Sequence, residues 1–222
     1  MKTIVISLGG SVIVPDKVNY DFLKKFKKVI DSVNYKFVIV TGGGSTARKY
    51  MKALEKGKFS DKIYSLIGIA STKLNARVVG GVFNYKGEIP ESMLEVKKKL
   101  KKQKIVVCGA LGYREKMTTD GNSADLARYL GSDLFINVTN VKGLYDKDPK
   151  LKGAKLIKKI SFDDFYGIAK KIKFKAGQHF VLDQKAAKII KENEIMTIII
   201  GNNLDNFKKM LKGKRFVGTV IC

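Results

Sequence analysis

The sequence predicts an α/β fold in which a mainly parallel sheet is covered by helices on both faces. Three observations predict it. Short runs such as Phe37-Val38-Ile39-Val40, apolar at successive positions, alternate with stretches whose apolar residues recur at helical spacing. A strand that is apolar on both faces must be covered on both sides, as crossover helices cover parallel strands. Glycine also follows the first, second and middle strands, at Gly9-Gly10, Gly42-Gly43-Gly44 and Gly109. In open α/β sheets ligands collect at that C-terminal edge.

Taken in order, residues 2–8 (KTIVISL) read as a buried strand that stops at the first glycine pair. Phe22, Leu23, Phe26, Val29 and Ile30 mark a helix over 20–33. Residues 37–40 form the second strand, followed by helices over 45–57, 66–80 and 91–102. Lys104–Cys108 is a strand, 120–130 a helix and Asp133–Val138 a strand. A helix over 183–193, a strand over 196–200, a helix near 204–212 and a short strand near 216–221 complete the chain. With three prolines and no repeat or low-complexity stretch, one domain is expected.

Composition narrows the function. Hydrophobic residues make up 45% of 222, enough for a core and too many for a disordered chain. Two cysteines, Cys108 and Cys222, make neither a disulfide framework nor a zinc cluster and suggest a reducing compartment. No apolar run approaches the roughly 20 residues of a membrane span, and the start is unlike a signal peptide. A soluble, cytoplasmic protein is expected. The formal net charge of +24 invites a nucleic-acid reading, yet only five of the 44 basic residues are Arg. Forked recognition of phosphate or guanine favours Arg, so the lysines read mainly as solvated surface. Their field can still attract a small phosphorylated substrate.

Four polar clusters follow the strands. Gly9-Gly10-Ser11 offers backbone N–H groups that can cradle a phosphate with no side chain in the way. Gly42-Gly43-Gly44-Ser45-Thr46 does the same and runs into a helix, whose N-terminus favours anions. Arg48 lies just past the first turn of that helix, within reach of an anion held there. Neither segment matches a P-loop or a dinucleotide fingerprint, and either could be a plain tight turn. Two cradles on one sheet suggest two phosphorylated ligands face to face. Thr118-Thr119-Asp120 opens a helix, with Thr119 or Asp120 as a cap or as phosphate-binding and orienting groups. The segment Thr139 through Pro149 is too rich in specific turn residues for a plain connector. His179, the single histidine, reads as a surface or capping residue, since no catalytic triad or zinc set can be built on it.

These residues carry a resemblance. SLGGS at 7–11, VTGGGSTARKY at 40–50, TTD at 118–120, TNVKGLYDKDP at 139–149 and KAGQHFVLDQKAAKII at 175–190 keep the order and spacing of the amino-acid kinase superfamily. GIASTKLNA at 68–76 is similar to a segment of its archaeal uridylate (UMP) kinase branch. The resemblance spans nearly the whole chain. It implies a three-layer α/β/α sandwich, with the acceptor half over about 1–117 and the ATP half over about 118–222. It also implies a homo-oligomer, commonly a hexamer. Magnesium would arrive with ATP, and no protein metal site is expected. By motif, Gly10, Ser11, Gly44 and Arg48 would contact ATP phosphates, and Thr139, Asn140, Tyr145 and Asp148 would hold adenosine. Gly43, Ser65, Leu111, Gly112, Thr118 and Thr119 would contact UMP. Arg48 and Asp120 would act in catalysis.

The chain departs from many family members at Ser7 and from the family's usual pattern at four further places. Many members carry a Lys where Ser7 stands, as the archaeal branch does not, and Arg48 is the natural substitute for its charge. Ser65 stands where an Asp is usual, and Lys73 replaces an Arg, losing a forked donor. Gly112 through Met117 replaces a shorter stretch, and Lys142 replaces an Asp. Three readings therefore compete. They are a UMP kinase making UDP, a kinase of the same fold with another small phosphate or carboxylate acceptor, and a non-catalytic nucleotide- or nucleic-acid-binding protein.

Overall fold

A computed structural model describes residues 1–55, 57–114, 117–171 and 181–222. The elements run β1 (Thr3–Leu8), α1 (Gly10–Ile13), α2 (Tyr20–Asp31), β2 (Lys36–Thr41), α3 (Gly44–Ala53) and α4 (Asp61–Val82). Then come α5 (Met93–Lys102), β3 (Ile105–Cys108), α6 (Thr119–Leu130), β4 (Leu134–Thr139), β5 (Lys159–Ile160) and α7 (Phe162–Lys171). The chain ends with α8 (Gln184–Glu192), β6 (Thr197–Gly201), α9 (Leu204–Leu211) and β7 (Thr219–Ile221).

The strands form one sheet in the order β3-β2-β1-β4-β6-β7-β5. Every pairing is parallel except β6 with β7. Alternate residues of each strand feed opposite cores. Ile4, Ile6, Leu8, Ile39 and Ile136 meet Phe22, Phe26 and Phe207 of α2 and α9 on one side. Val5, Val38, Val40 and Phe135 meet Val96, Leu126, Phe165 and Ile190 of α5, α6, α7 and α8 on the other. Both faces of the sheet are therefore dry, and the three-layer α/β/α sandwich is the result.

The expected elements are present with ends shifted by a few residues, most at α4, which begins at Asp61 rather than 66. Three elements have no counterpart in the sequence reading: α1, β5 and α7. The last of these had a legible start, since Ser161 Oγ accepts from the Asp164 N–H and donates to the Asp164 carboxylate. The lysine-rich end of α5 is solvent-facing as expected, with Lys97 and Lys99 lying over the rings of Tyr129 and Tyr85. Among the described residues no helix is long and apolar enough to cross a membrane.

Candidate active site

The centre of the site is a backbone contact. Gly10 begins α1, and a methyl group placed on it would lie 2.6 Å from Gly44 Cα and 2.7 Å from the Gly42 carbonyl carbon. Those distances are impossible for a real Cβ, so only glycine lets the two turns meet. Gly44 has φ +65°, a left-handed conformation that favours glycine as well. The parallel pairing of β1 and β2 brings the turns together, because Leu8 is in register with Thr41 and both strands stop at the same level.

Hydrogen bonds narrow the donors available to an anion. The Gly9 N–H is held by the Val138 carbonyl, Gly42 N–H by Leu8 and Ser45 N–H by Val14. Ser45 was expected among the cradle donors and is instead tied to the strand-to-helix connection. Gly10 and Ser11 of α1, and Gly44 at the start of α3, sit in first turns where no intrahelical carbonyl reaches the N–H. Their N–H groups have no hydrogen-bond partner among the described residues. Arg48 follows one turn later on α3 with an exposed side chain, in no ion pair among the described residues.

Residues that the spacing analysis passed over brace this turn. Asn75 of α4 donates from Nδ2 to the carbonyls of Gly42 and Gly43 at 2.7 and 3.1 Å. Thr72 Oγ1 accepts from Ala110 N–H at 2.9 Å, and its own carbonyl accepts from Thr41 Oγ1 at 2.8 Å. Ser71, Thr72 and Asn75, buried polar residues on one helix, were the available signal. Ser65 lies on the same helix, half-buried, and Lys73 pairs with Glu91 at 2.7 Å.

On the other face of the sheet, Ser7 of β1 and Asn137 of β4 are side by side in register and both nearly fully buried. Ser7 Oγ donates to Asp120 Oδ1 at 3.0 Å. Asn137 donates to the Val181 carbonyl, and Thr118 donates to the carboxylate of Asp183, 65 residues away. Asp183 in turn caps α8 through the Lys185 and Ala186 N–H groups at 2.7 and 2.9 Å. Burial pushes the Asp120 carboxyl up to about 7, and the nearby charge of Asp183 adds to the rise, while the Ser7 hydroxyl opposes it. A polar residue inside an apolar strand, as at Ser7 and Asn137, was the sequence signal for this cluster.

The cap of α6 is a correction. Thr118, not Thr119 or Asp120, is the capping residue, and its Oγ1 accepts from Gly121 N–H at 3.2 Å. Thr119 and Asp120 occupy the first turn, with Asp120 favourably placed at the positive end of the helix. Leu111 is buried just before them, and Gly112 adopts φ +79°.

The remaining expected residues stand after β4. Thr139 closes that strand and contacts Asn140 at 3.4 Å between side chains. Asp148 is exposed and its Oδ1 accepts from Lys150 N–H at 2.9 Å, while Tyr145 bridges to Leu156. This connector is anchored at Gly143, where a methyl group would lie 2.7 Å from Thr219 Oγ1. Glu115, Lys116 and His179, with the start of the 175–190 segment, lie outside the described residues.

Comparison with known proteins settles the family. The family model described as the amino acid kinase family matches residues 2–202. The chain belongs to the amino acid kinase family. Within that family it is 37% identical to a uridylate kinase of Archaeoglobus fulgidus over 224 residues, 99% of each chain. It is 34% identical to a uridylate kinase of Thermoplasma acidophilum, over 99% of this chain and 96% of that one. The crystal structure of the Archaeoglobus fulgidus uridylate kinase superposes over all of both chains with a TM-score of 0.86 at 35% identity. A UMP kinase structure from Bacillus anthracis, at 22% identity and a TM-score of 0.80, shares the fold over 99% of this chain and 95% of that one.

Proposed function

We propose that this amino acid kinase transfers the γ-phosphoryl group of ATP to UMP, giving UDP and ADP in pyrimidine nucleotide biosynthesis. The observation that carries the reading is the contact between Gly10 and the Gly42–Gly44 turn. Two anion-binding turns in backbone contact bring two phosphorylated ligands phosphate to phosphate. The likeness to uridylate kinases over nearly the full length supports UMP as the acceptor.

In this reading a UMP phosphate oxygen forms the new bond to the γ-phosphorus as the bond to the β,γ-bridging oxygen breaks. Such a transfer needs alignment and charge neutralisation rather than a covalent nucleophile. The N–H groups of Gly10, Ser11 and Gly44 hold the ATP phosphates, and Arg48 neutralises charge that builds on the moving group. Thr139, Asn140, Tyr145 and Asp148 hold the adenosine. Gly43, Ser65, Leu111, Gly112, Thr118 and Thr119 form the acceptor wall, and Asp120 orients groups at the centre.

Magnesium, carried in by ATP, fits the donor chemistry at that centre. Asp120 is crowded by Asp183, and a cation would relieve the crowding by favouring the ionised form. Mg²⁺ takes few protein ligands when phosphates supply the rest, and Asp120 is the side chain that would face it. Once bound, it neutralises charge on the β- and γ-phosphates.

The division into an acceptor half, about 1–117, and an ATP half, about 118–222, follows from the same assignment. We also infer a cytoplasmic homo-oligomer, with the hexamer of the resemblance as the form to test by light scattering. Ile63, Leu66 and Leu74 stand exposed along one stripe of α4, which supports association of copies.

An ADP-release assay with ATP and Mg²⁺ tests the function against UMP, CMP, AMP, GMP, isopentenyl phosphate and acetylglutamate. Strong preference for UMP is expected. Release with a different acceptor alone would reassign the substrate, and silence with all would favour a binding protein. In that last case steeply salt-dependent binding to nucleic acid is the decisive follow-up.

A further inference from the structure

After Gly109, whose backbone packs directly on that of Thr72 and Lys73 in α4, residues 111–114 are tied to α6 by side chains. Asp125 lies in the run Gly121–Ala127 that α6 buries, and only 9% of its side chain is exposed. A lone carboxylate there would be costly. It is paired twice. Arg114 Nη1 reaches Oδ2 at 2.6 Å, and Arg128 reaches Oδ1 from Nη2 at 2.7 Å and from Nε at 2.8 Å. Burial pushes the Asp125 pKa up, but the two guanidinium groups outweigh it and hold the carboxyl below its ordinary range.

The two arginines act differently. Arg128 is on the same helix and fixes the carboxylate's rotamer. Arg114 comes from the segment after β3, so its bond joins two elements. Two neighbouring contacts share that direction. Leu111 N–H donates to Asn122 Oδ1 at 3.3 Å, and Met117 Sδ fills the space where Gly121 has no Cβ. From the opposite side, the Lys62 ammonium of α4 lies 5.8 Å from the centre of the Tyr113 ring. Lys62 is one turn from Ser65, so residues 111–114 span the gap between the α4 wall and the Thr118–Thr119 wall.

We propose that Arg114, Asp125 and Arg128 form a clamp that positions residues 111–114 as the specificity wall of the acceptor site. Asp125 is a positioning residue in it. The arginines are about half exposed and the carboxylate is not, so the pairs mainly offset the cost of burying Asp125, and their effect is local. The proposal rests on the UMP kinase reading for the identity of the acceptor, though not for the existence of the clamp.

The test compares the wild-type enzyme with Asp125→Asn, Arg114→Gln and the double variant. Steady-state kinetics with UMP and ATP are read beside amide hydrogen exchange of residues 111–114 without substrate. The KM for UMP should rise about tenfold in each single variant, with kcat within about twofold and the KM for ATP unchanged. Exchange at 111–114 should quicken in both. The double variant should be no worse than Asp125→Asn, in which the Arg114–Asp125 pair is already lost. Wild-type KM and wild-type exchange in folded Arg114→Gln would overturn the clamp. An equal loss in both substrates' KM, or additive losses in the double variant, would reduce it to a structural role. A wild-type enzyme inactive with UMP would refute the acceptor assignment instead, and the exchange readout would still decide the clamp.

Discussion

Two walls of the same site are built from different materials. Around Gly10 and Gly42–Gly44 two turns meet main chain to main chain, and Asn75 donates to the Gly42 and Gly43 carbonyls. From Leu111 to Arg114 the main chain is held to α6 by the side chains of Asn122, Asp125 and Arg114. A backbone wall admits no side chain and cannot be retuned without moving strands. A wall held by side chains can change while the sheet stays still. In the proposed site, Ser65 and Gly112 stand on the acceptor wall and depart from the family's pattern, whereas the glycine turns keep it.

The sharpest way to break the comparison is Gly10→Ala. A Cβ there collides with backbone rather than with a flexible side-chain end, so something in the turn pair must shift. Turnover should be lost and the thermal midpoint should fall, by an amount equivalent to about 2 kcal/mol or more. A variant with native melting and native kcat would refute the claim that the two turns must touch.

Next in size is Arg48→Ala, which leaves both walls intact. The exposed side chain has no ion partner among the described residues, so stability should stay within about 0.5 kcal/mol of wild type. kcat should drop about 10²-fold through loss of charge neutralisation. Turnover near wild type would remove Arg48 from the mechanism.

The smallest expected effect concerns Asp120, where the two walls meet. Its folded pKa of about 7 lies above the ordinary 3.8, so the folded state binds the proton more tightly than the unfolded chain does. Its contribution to stability is fully present below pH 3.8 and is lost as pH rises through about 7. Asp120→Asn removes that loss. Melting of the ligand-free variant should be higher than wild type by a few degrees at pH 8, with the difference shrinking toward pH 4. An equal difference at both pH values would contradict the crowding of Asp120 by burial and Asp183.

Much of this architecture was readable from local pattern. Residues 2–8, 37–40 and 104–108 are short and continuously apolar, and the amphipathic helices between them leave few alternatives to a parallel sheet. The glycine turns were readable too, because glycine after a strand is a strong punctuation mark. What escaped was short or relational. α1 has four residues and opens with glycine, too little to show a period. β5 has two residues and exists only because β7 runs beside it. Ser7, Asn137, Asp183 and Asn75 were not picked out as candidate site residues, because nothing in a local window says which polar residue meets which.

The sequence by itself determined the α/β class, the placing of most strands and helices, and the two glycine turns at strand ends. Those are consequences of period, length and backbone freedom, all of them local. Only the tertiary structure decided the strand order, the antiparallel turn of β7 and the seating of Gly10 against Gly44. It also decided that Thr118 would meet Asp183 and that Asp120 would be half-buried near that charge. These depend on how distant segments pack once water is excluded, and no periodicity along the chain carries that information.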